Sequence, residues 1–284
     1  MAIEINEEVI RSIYPPRKRD SHKGQNGRVL VVGGSWMYHG APYIASLAAL
    51  ISGVDLVYTA VPKPLVNPIR SMNPNLIVIP LPDFRLTRGS ARRLVKLMPE
   101  VDVILIGNGL GKGNEEGVIE LIKESSVKRL VLDADALTPE VVKVAGERST
   151  IVTPHEGEFK RISNIDLSGK GLDYKAESAE RYSKENGITV LLKGVVDIIT
   201  DGETTYLNYT GNAGMTIGGT GDALAGLTSG LFSKGLKGVD AGAIAAYVNG
   251  AAGDLALKEK GLHFTATDVI SYYPVIMKKF DVII

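Results

Sequence analysis

The chain has 284 residues, 44% of them hydrophobic and 23% charged, and its formal net charge is zero. It is long enough for one large α/β domain or two small ones, and the even charge, with no block of one sign, does not suggest a basic groove for nucleic acid; Arg17-Lys18-Arg19 is short and reads as a solvated face. Cysteine is absent, which excludes disulfides and thiolate metal sites and suits a reducing cytoplasm.

Residues 1–21 are polar and carry Pro15 and Pro16, so they are read as an extension lying on the core. Residues 1–10 hold three glutamates and no basic flank, unlike a signal peptide. A β/α alternation then begins. The β-branched run 28–32 is a strand ending at Gly33-Gly34-Ser35, and a helix over 41–52 leads to a strand over 55–60. The apolar stretch 41–61 is broken by Gly53 and Asp55, so it is read as helix and strand and not as a membrane span. Further strands are predicted at 76–79, 101–106, 129–132 and 150–152, with helices at 88–98, 115–124 and 139–145 between them. The fully apolar run 101–106 is of the kind buried on both faces of a parallel sheet.

After residue 153 come helices at 156–163 and 172–186 and a strand at 188–192. Alternating runs at 196–200 and 204–208, joined by Asp201-Gly202, predict a β-hairpin. Helices rich in small residues follow at 222–233, 238–258 and 267–280. The series predicts one α/β domain over 1–284, a mostly parallel sheet with helices on both faces. Ligands of such sheets bind beyond the carboxyl ends of the strands. Gly33-Gly34-Ser35, Gly107-Asn108-Gly109, Asp133, Thr153-Pro154-His155 and Lys193-Gly194 each directly follow a predicted strand.

The densest of the candidate motifs is Gly218-Gly219-Thr220-Gly221-Asp222, just ahead of an apolar helix. A glycine-rich turn entering a helix leaves backbone N–H groups free, and with the helix dipole these make a site for a phosphate or a developing oxyanion. Asp222 is either a base acting on an attacking hydroxyl or an ordinary first-turn carboxylate. In Gly107-Asn108-Gly109-Leu110-Gly111-Lys112, a lysine stands where a dinucleotide fingerprint needs its third glycine. The GxxxxGK[ST] phosphate loop is missing throughout.

In Thr153-Pro154-His155-Glu156-Gly157-Glu158, Glu158 is placed to hold water on a magnesium ion and His155 to touch a substrate; equally, Thr153 caps the next helix. Asp133-Ala134-Asp135 offers metal or hydroxyl binding, or a helix cap. Lys193-Gly194 suits nucleotide phosphates, and Trp36 is either a cover for a ligand ring or a packing residue. The four histidines lie far apart, which argues against zinc.

Taken together, these stretches resemble the ribokinase-like superfamily. Gly219-Thr220-Gly221-Asp222 is similar to its anion-hole signature, and Thr153-Pro154-His155-x-x-Glu158 to its Thr-Pro-Asn-x-x-Glu segment, with histidine for asparagine. That exchange points to the NAD(P)H-hydrate dehydratase branch. So do His22-Lys23-Gly24, Gly40-Ala41-Pro42, Asp133-Ala134-Asp135-Ala136-Leu137, Lys193-Gly194 and Gly211-Asn212-x-Gly214-Met215. The departures are His39 for a frequent threonine, Asp197 for another, and Thr216-Ile217 for a small pair.

The resemblance implies a ribokinase-like fold and repair of NADH or NADPH hydrated at C6, driven by ADP or ATP with Mg²⁺; free-standing microbial members favour ADP. It implies Asp222 as base, charge stabilisation by the N–H groups of Thr220 and Gly221, and dinucleotide contacts from Ala41, Gly109 and His155. Lys193, Gly194, Val195, Val196 and Asp197 would lie along the adenosine nucleotide. It further implies a homo-oligomer, with any epimerase on a separate chain. The rival readings are a kinase of a vitamin-precursor alcohol and a non-catalytic nucleotide-binding regulator.

Overall fold

The computed structural model describes residues 2–284. In chain order the elements are β1 (Ile3–Glu4), α1 (Glu7–Ile13), β2 (Arg28–Val32), α2 (Gly40–Ile51), β3 (Leu56–Pro62), α3 (Val66–Met72) and β4 (Ile77–Leu81). Next come α4 (Arg88–Leu97), β5 (Val103–Ile106), α5 (Glu115–Glu124), β6 (Arg129–Leu132), α6 (Pro139–Ala145), β7 (Ser149–Val152), α7 (Glu156–Ser163) and α8 (Leu172–Asn186). The last are β8 (Thr189–Leu192), β9 (Asp197–Thr200), β10 (Thr205–Asn208), α9 (Thr220–Ser233), α10 (Gly238–Lys260) and α11 (Ala266–Met277).

All the strands join one ten-stranded sheet in the order β1-β10-β9-β8-β7-β6-β5-β2-β3-β4. Among the described residues, pairing is antiparallel only where β9 meets β8 and β10. The chain leaves β2 toward β3 and β4, then returns to place β5 on the other side of β2. That reversal creates a crevice at the carboxyl ends of β2 and β5, where open α/β sheets bind ligands.

Period-two alternation divides each central strand between two cores: in β2, Val29 and Val31 face one and Leu30 and Val32 the other. The first core is covered by α2, α9, α10 and α11, the second by α4 through α8. Small residues set the spacing between α9 and α2. A Cβ on Gly226 would lie 2.0 Å from the Ala45 carbonyl oxygen, so only glycine lets these two backbones touch.

Two regions carry elements that the sequence reading does not name. The described residues of that extension, 2–21, supply a sheet strand, β1, beside β10, and a helix capped by Asn6 whose Ile10 is fully buried. A two-residue strand and a helix with a single core residue leave too little periodicity to detect. Helix α3 was hidden by Asn67-Pro68, a pair that reads as a breaker; Pro68 sits in the first turn, where no intrahelical N–H bond is lost. The hairpin forms, although its turn spans 201–204, with Asp201 Oδ1 accepting from the Glu203 and Thr204 N–H groups. Among the described residues no helix is long and apolar enough to cross a membrane.

Candidate active site

Five strand ends converge on the carboxyl rim. Gly33 follows β2, Gly107 follows β5, Asp133 follows β6, Thr153 follows β7 and Lys193 follows β8. Opposite them α9 begins. Gly219 takes φ +100° at its N-cap, and no side chain caps the helix. Within the described chain, the N–H groups of Thr220, Gly221 and Asp222 find no acceptor. Thr220 Oγ1 instead donates to the carbonyls of Met215 and Ile217, which fixes the turn leading in. Three free amides at the positive end of a 14-residue helix offer the donors that a cradle for an anion needs.

Asp222 lies in this first turn, and its Oδ1 accepts a 2.7 Å hydrogen bond from Asn108 Nδ2. The same nitrogen donates to Asp133 Oδ2 at 2.9 Å. Asp133 Oδ1 accepts from Thr153 Oγ1 at 2.8 Å and from Lys193 Nζ at 3.0 Å. Lys193 also lies 3.5 Å from Glu158 Oε2. One polar chain therefore joins the ends of β5, β6, β7 and β8 to α9. A Cβ on Gly221 would sit 3.5 Å from Lys193 Nζ, which places the ammonium against the cradle.

Burial pushes the Asp222 carboxyl up to about 6; the Asn108 bond and the Lys193 charge work against that, while Asp133 and Asp135 add to it. Lys193 loses hydration through burial, yet the charges of Asp133 and Glu158 prevail and hold its ammonium above the ordinary lysine value. Asp197, which accepts from Gly194 N–H at 3.0 Å and from Asn208 Nδ2 at 3.0 Å, is pushed up to about 6 by burial.

Gly107 allows this assembly. It has φ +131°, and a Cβ there would lie 1.7 Å from the Asp133 carbonyl oxygen. Gly107→Ala is expected to lower stability by at least about 3 kcal/mol, read as a shifted denaturant midpoint with unchanged slope.

Ala41 and Gly109 are brought together: a Cβ on Gly109 would stand 2.9 Å from the Ala41 Cβ. His155 is exposed at the start of α7 and is itself the N-cap, its Nδ1 accepting from the Gly157 and Glu158 N–H groups. The capping role offered to Thr153 thus falls to His155, because Thr153 is turned inward to Asp133. Glu158 completes the capping box by accepting from His155 N–H at 2.9 Å. Val195 is 99% exposed at the tip of the loop from Lys193 to Asp197. Trp36 projects into solvent from the loop before α2 and takes no part in core packing. The sequence alone assigns Asn108 no role, since it stands as one amide among glycines. The available signal was a lone amide side chain at a strand end, between residues that must be glycine.

Comparison with known proteins places the chain in a family. The family model for NAD(P)H-hydrate dehydratase matches residues 29–275, and the chain belongs to that family. It is 47% identical over 276 residues to the ADP-dependent (S)-NAD(P)H-hydrate dehydratase of Nitrosopumilus maritimus, with 96% of each chain covered. It is 40% identical to the bifunctional NAD(P)H-hydrate repair enzyme of Pyrobaculum aerophilum, covering 93% of this chain and 53% of that protein. Among solved structures, the ADP/ATP-dependent NAD(P)H-hydrate dehydratase of Bacillus subtilis, co-crystallised with ATP/Mg²⁺, superposes with a TM-score of 0.83 at 26% identity, covering 99% of both chains.

Proposed function

We propose that this member of the family restores NADH or NADPH from the C6-hydrated form at the expense of ADP, with Asp222 as the base. The observation that carries this reading is a single juxtaposition. Among the described residues, a carboxylate with one oxygen uncommitted to any donor stands in the same helical turn as three free backbone amides.

Hydroxide leaves a ring carbon poorly. Asp222 takes the proton from the C6 hydroxyl as its oxygen attacks the terminal phosphorus, and the bond from that phosphorus to the bridging oxygen breaks to release AMP. The N–H groups of Thr220 and Gly221 stabilise charge on the moving phosphoryl group; losing one such donor costs about 3 kcal/mol of barrier. The C6–O bond then breaks, phosphate departs with the bonding pair, the ring nitrogen donates its pair, and a C5 proton is lost to restore the dihydropyridine.

Lys193 and the loop through Gly194, Val195, Val196 and Asp197 run along the adenosine nucleotide, while Ala41, Gly109 and His155 touch the dinucleotide. Mg²⁺ fits here only through water. Glu158 Oε2 is engaged by His155 N–H and Lys193, and among the described residues no three acidic or histidine side chains converge as a metal cage. A magnesium ion held mainly by nucleotide phosphates and water, with Glu158 as an outer partner, matches that donor set. When bound, it would neutralise phosphate charge. The setting proposed for this chemistry is the cytoplasm.

Incubating hydrated NADH with ADP and Mg²⁺ should restore the reduced-nicotinamide absorbance and release AMP and phosphate in equal amounts. A stable phosphorylated product with no recovery of absorbance would overturn the proposal in favour of a kinase. Faster recovery with ATP would reassign the donor.

A further inference from the structure

We propose that Asn108 is a positioning residue for this reaction: its amide binds Oδ1 of Asp222 and so presents Oδ2 alone to the substrate hydroxyl. The inference rests on the reading of Asp222 as base and goes beyond it by naming what aims that base. The backbone at 108 is fixed from both sides. Gly107 and Gly109 take φ +131° and +70°, and the Asn108 carbonyl accepts the Gly34 N–H at 2.9 Å. The side chain is completely buried.

Both Nδ2 hydrogens are committed, one to Asp133 Oδ2 and one to Asp222 Oδ1. Because each acceptor is a carboxylate oxygen, the amide has one tolerable orientation. Flipping it would set Oδ1 against two anionic oxygens. The consequence is that Asn108 Oδ1 is buried with no hydrogen-bond partner among the described residues. An orphaned buried carbonyl oxygen is a standing penalty that an apolar side chain of similar volume would avoid. Packing alone therefore does not account for an amide at 108, whereas delivering two N–H groups to two carboxylates does.

The groups acting on Asp222 are few. Asn108 donates to it from the end of β5. The charges of Asp133, Asp135 and Lys193 reach it from the ends of β6 and β8. On its own helix the free amides of the first turn lie beside it. Among the described residues, Asn108 is the only side chain that donates a hydrogen bond to Asp222. Burial and the neighbouring carboxylates favour the protonated form, and the Asn108 bond opposes them.

The test is the pH dependence of kcat/KM with hydrated NADH and ADP, measured for the natural protein, Asn108→Leu and Asn108→Ser. Loss of one charge-assisted bond should move the acid limb upward by about one pH unit in both variants. At neutral pH kcat should fall about tenfold or more, while KM for ADP stays within about twofold. The serine variant leaves room for water should leucine prevent folding. An acid limb and kcat unchanged in whichever variant folds overturn the assignment. Asp222→Asn, assayed in parallel, separates the two claims. If it turns over, the base assignment fails. If it is inactive while the Asn108 variants keep the natural profile, only the role of Asn108 fails.

Discussion

Asp222→Asn should lose turnover by two to four orders of magnitude, about the contribution of a positioned general base, and should melt at a higher temperature than the natural protein. The substitution keeps shape and hydrogen bonding: the new amide oxygen still accepts from Asn108 Nδ2. It removes a carboxylate that burial pushes from 3.8 up to about 6. Below the unfolded value both states carry the proton and the group has no effect. As pH rises from there toward about 6, the folded state still holds a proton that the unfolded state has released, so the group's contribution to stability falls. Above about 6 the folded state bears the whole charge penalty. The displacement corresponds to about 3 kcal/mol at complete burial, and solvent screening of the partly exposed carboxylate reduces this to on the order of 1–2 kcal/mol. For a chain of this size that is a rise of about 2–6 °C at pH 7–8, shrinking as pH is lowered through 6 toward 4. Asp197 titrates in the same window and is common to both proteins, so the difference between them isolates Asp222. Differential scanning calorimetry across that range, with kcat beside it, is the measurement. An unchanged or lower melting temperature at pH 8 would show that the carboxylate sits in the site at no cost, and near-normal turnover would remove it from the chemistry.

The sequence showed this carboxylate and its surroundings because the signals are local. Apolar β-branched runs such as 28–32 and 101–106 read as strands buried on both faces, and each hands the glycine-rich loop after it to one rim of the sheet. The glycine run before Asp222 advertises free amides whatever else the fold contains. What the sequence concealed is pairwise and distant. Asn108 meets Asp222 across 114 residues, and Lys193 meets Asp133 across 60. Nothing in the spacing around either position distinguishes a bridging amide from a loop residue, or a buried ammonium from a solvated one. Local ambiguity also misdirected the cap of α7. Threonine is a far commoner N-cap than histidine, but Thr153 is drawn to Asp133 by a buried bond that local preference does not register. The edge strand β1 escaped notice for the opposite reason, since its two residues are defined by their partner and not by their own pattern.

Lys193→Met should destabilise the fold and weaken nucleotide binding by separable routes. The Lys193 side chain is 18% exposed and its ammonium lies 3.0 Å from Asp133, whose side chain is only 3% exposed. Removing it leaves the Asp133 carboxylate with neutral donors alone, Thr153 Oγ1 and Asn108 Nδ2. Deleting one partner of a buried ion pair costs about 3–5 kcal/mol, chiefly through the stranded charge, which here means a melting temperature lower by roughly 6–15 °C. Asp133→Asn removes that stranded charge, so the double variant should recover much of the loss, a coupling that a double-mutant cycle reads directly. Affinity for ADP should not recover with it, because the charge facing the cradle at Gly221 is still missing. The loss should also raise the pH at which activity appears, since Lys193 helps to keep Asp222 ionised. Should the double variant regain both stability and ADP affinity, Lys193 would serve the polar chain beneath the site and not the phosphates above it. Should it regain neither, the pair would not be coupled, and the network from Asn108 to Glu158 would be a set of independent contacts.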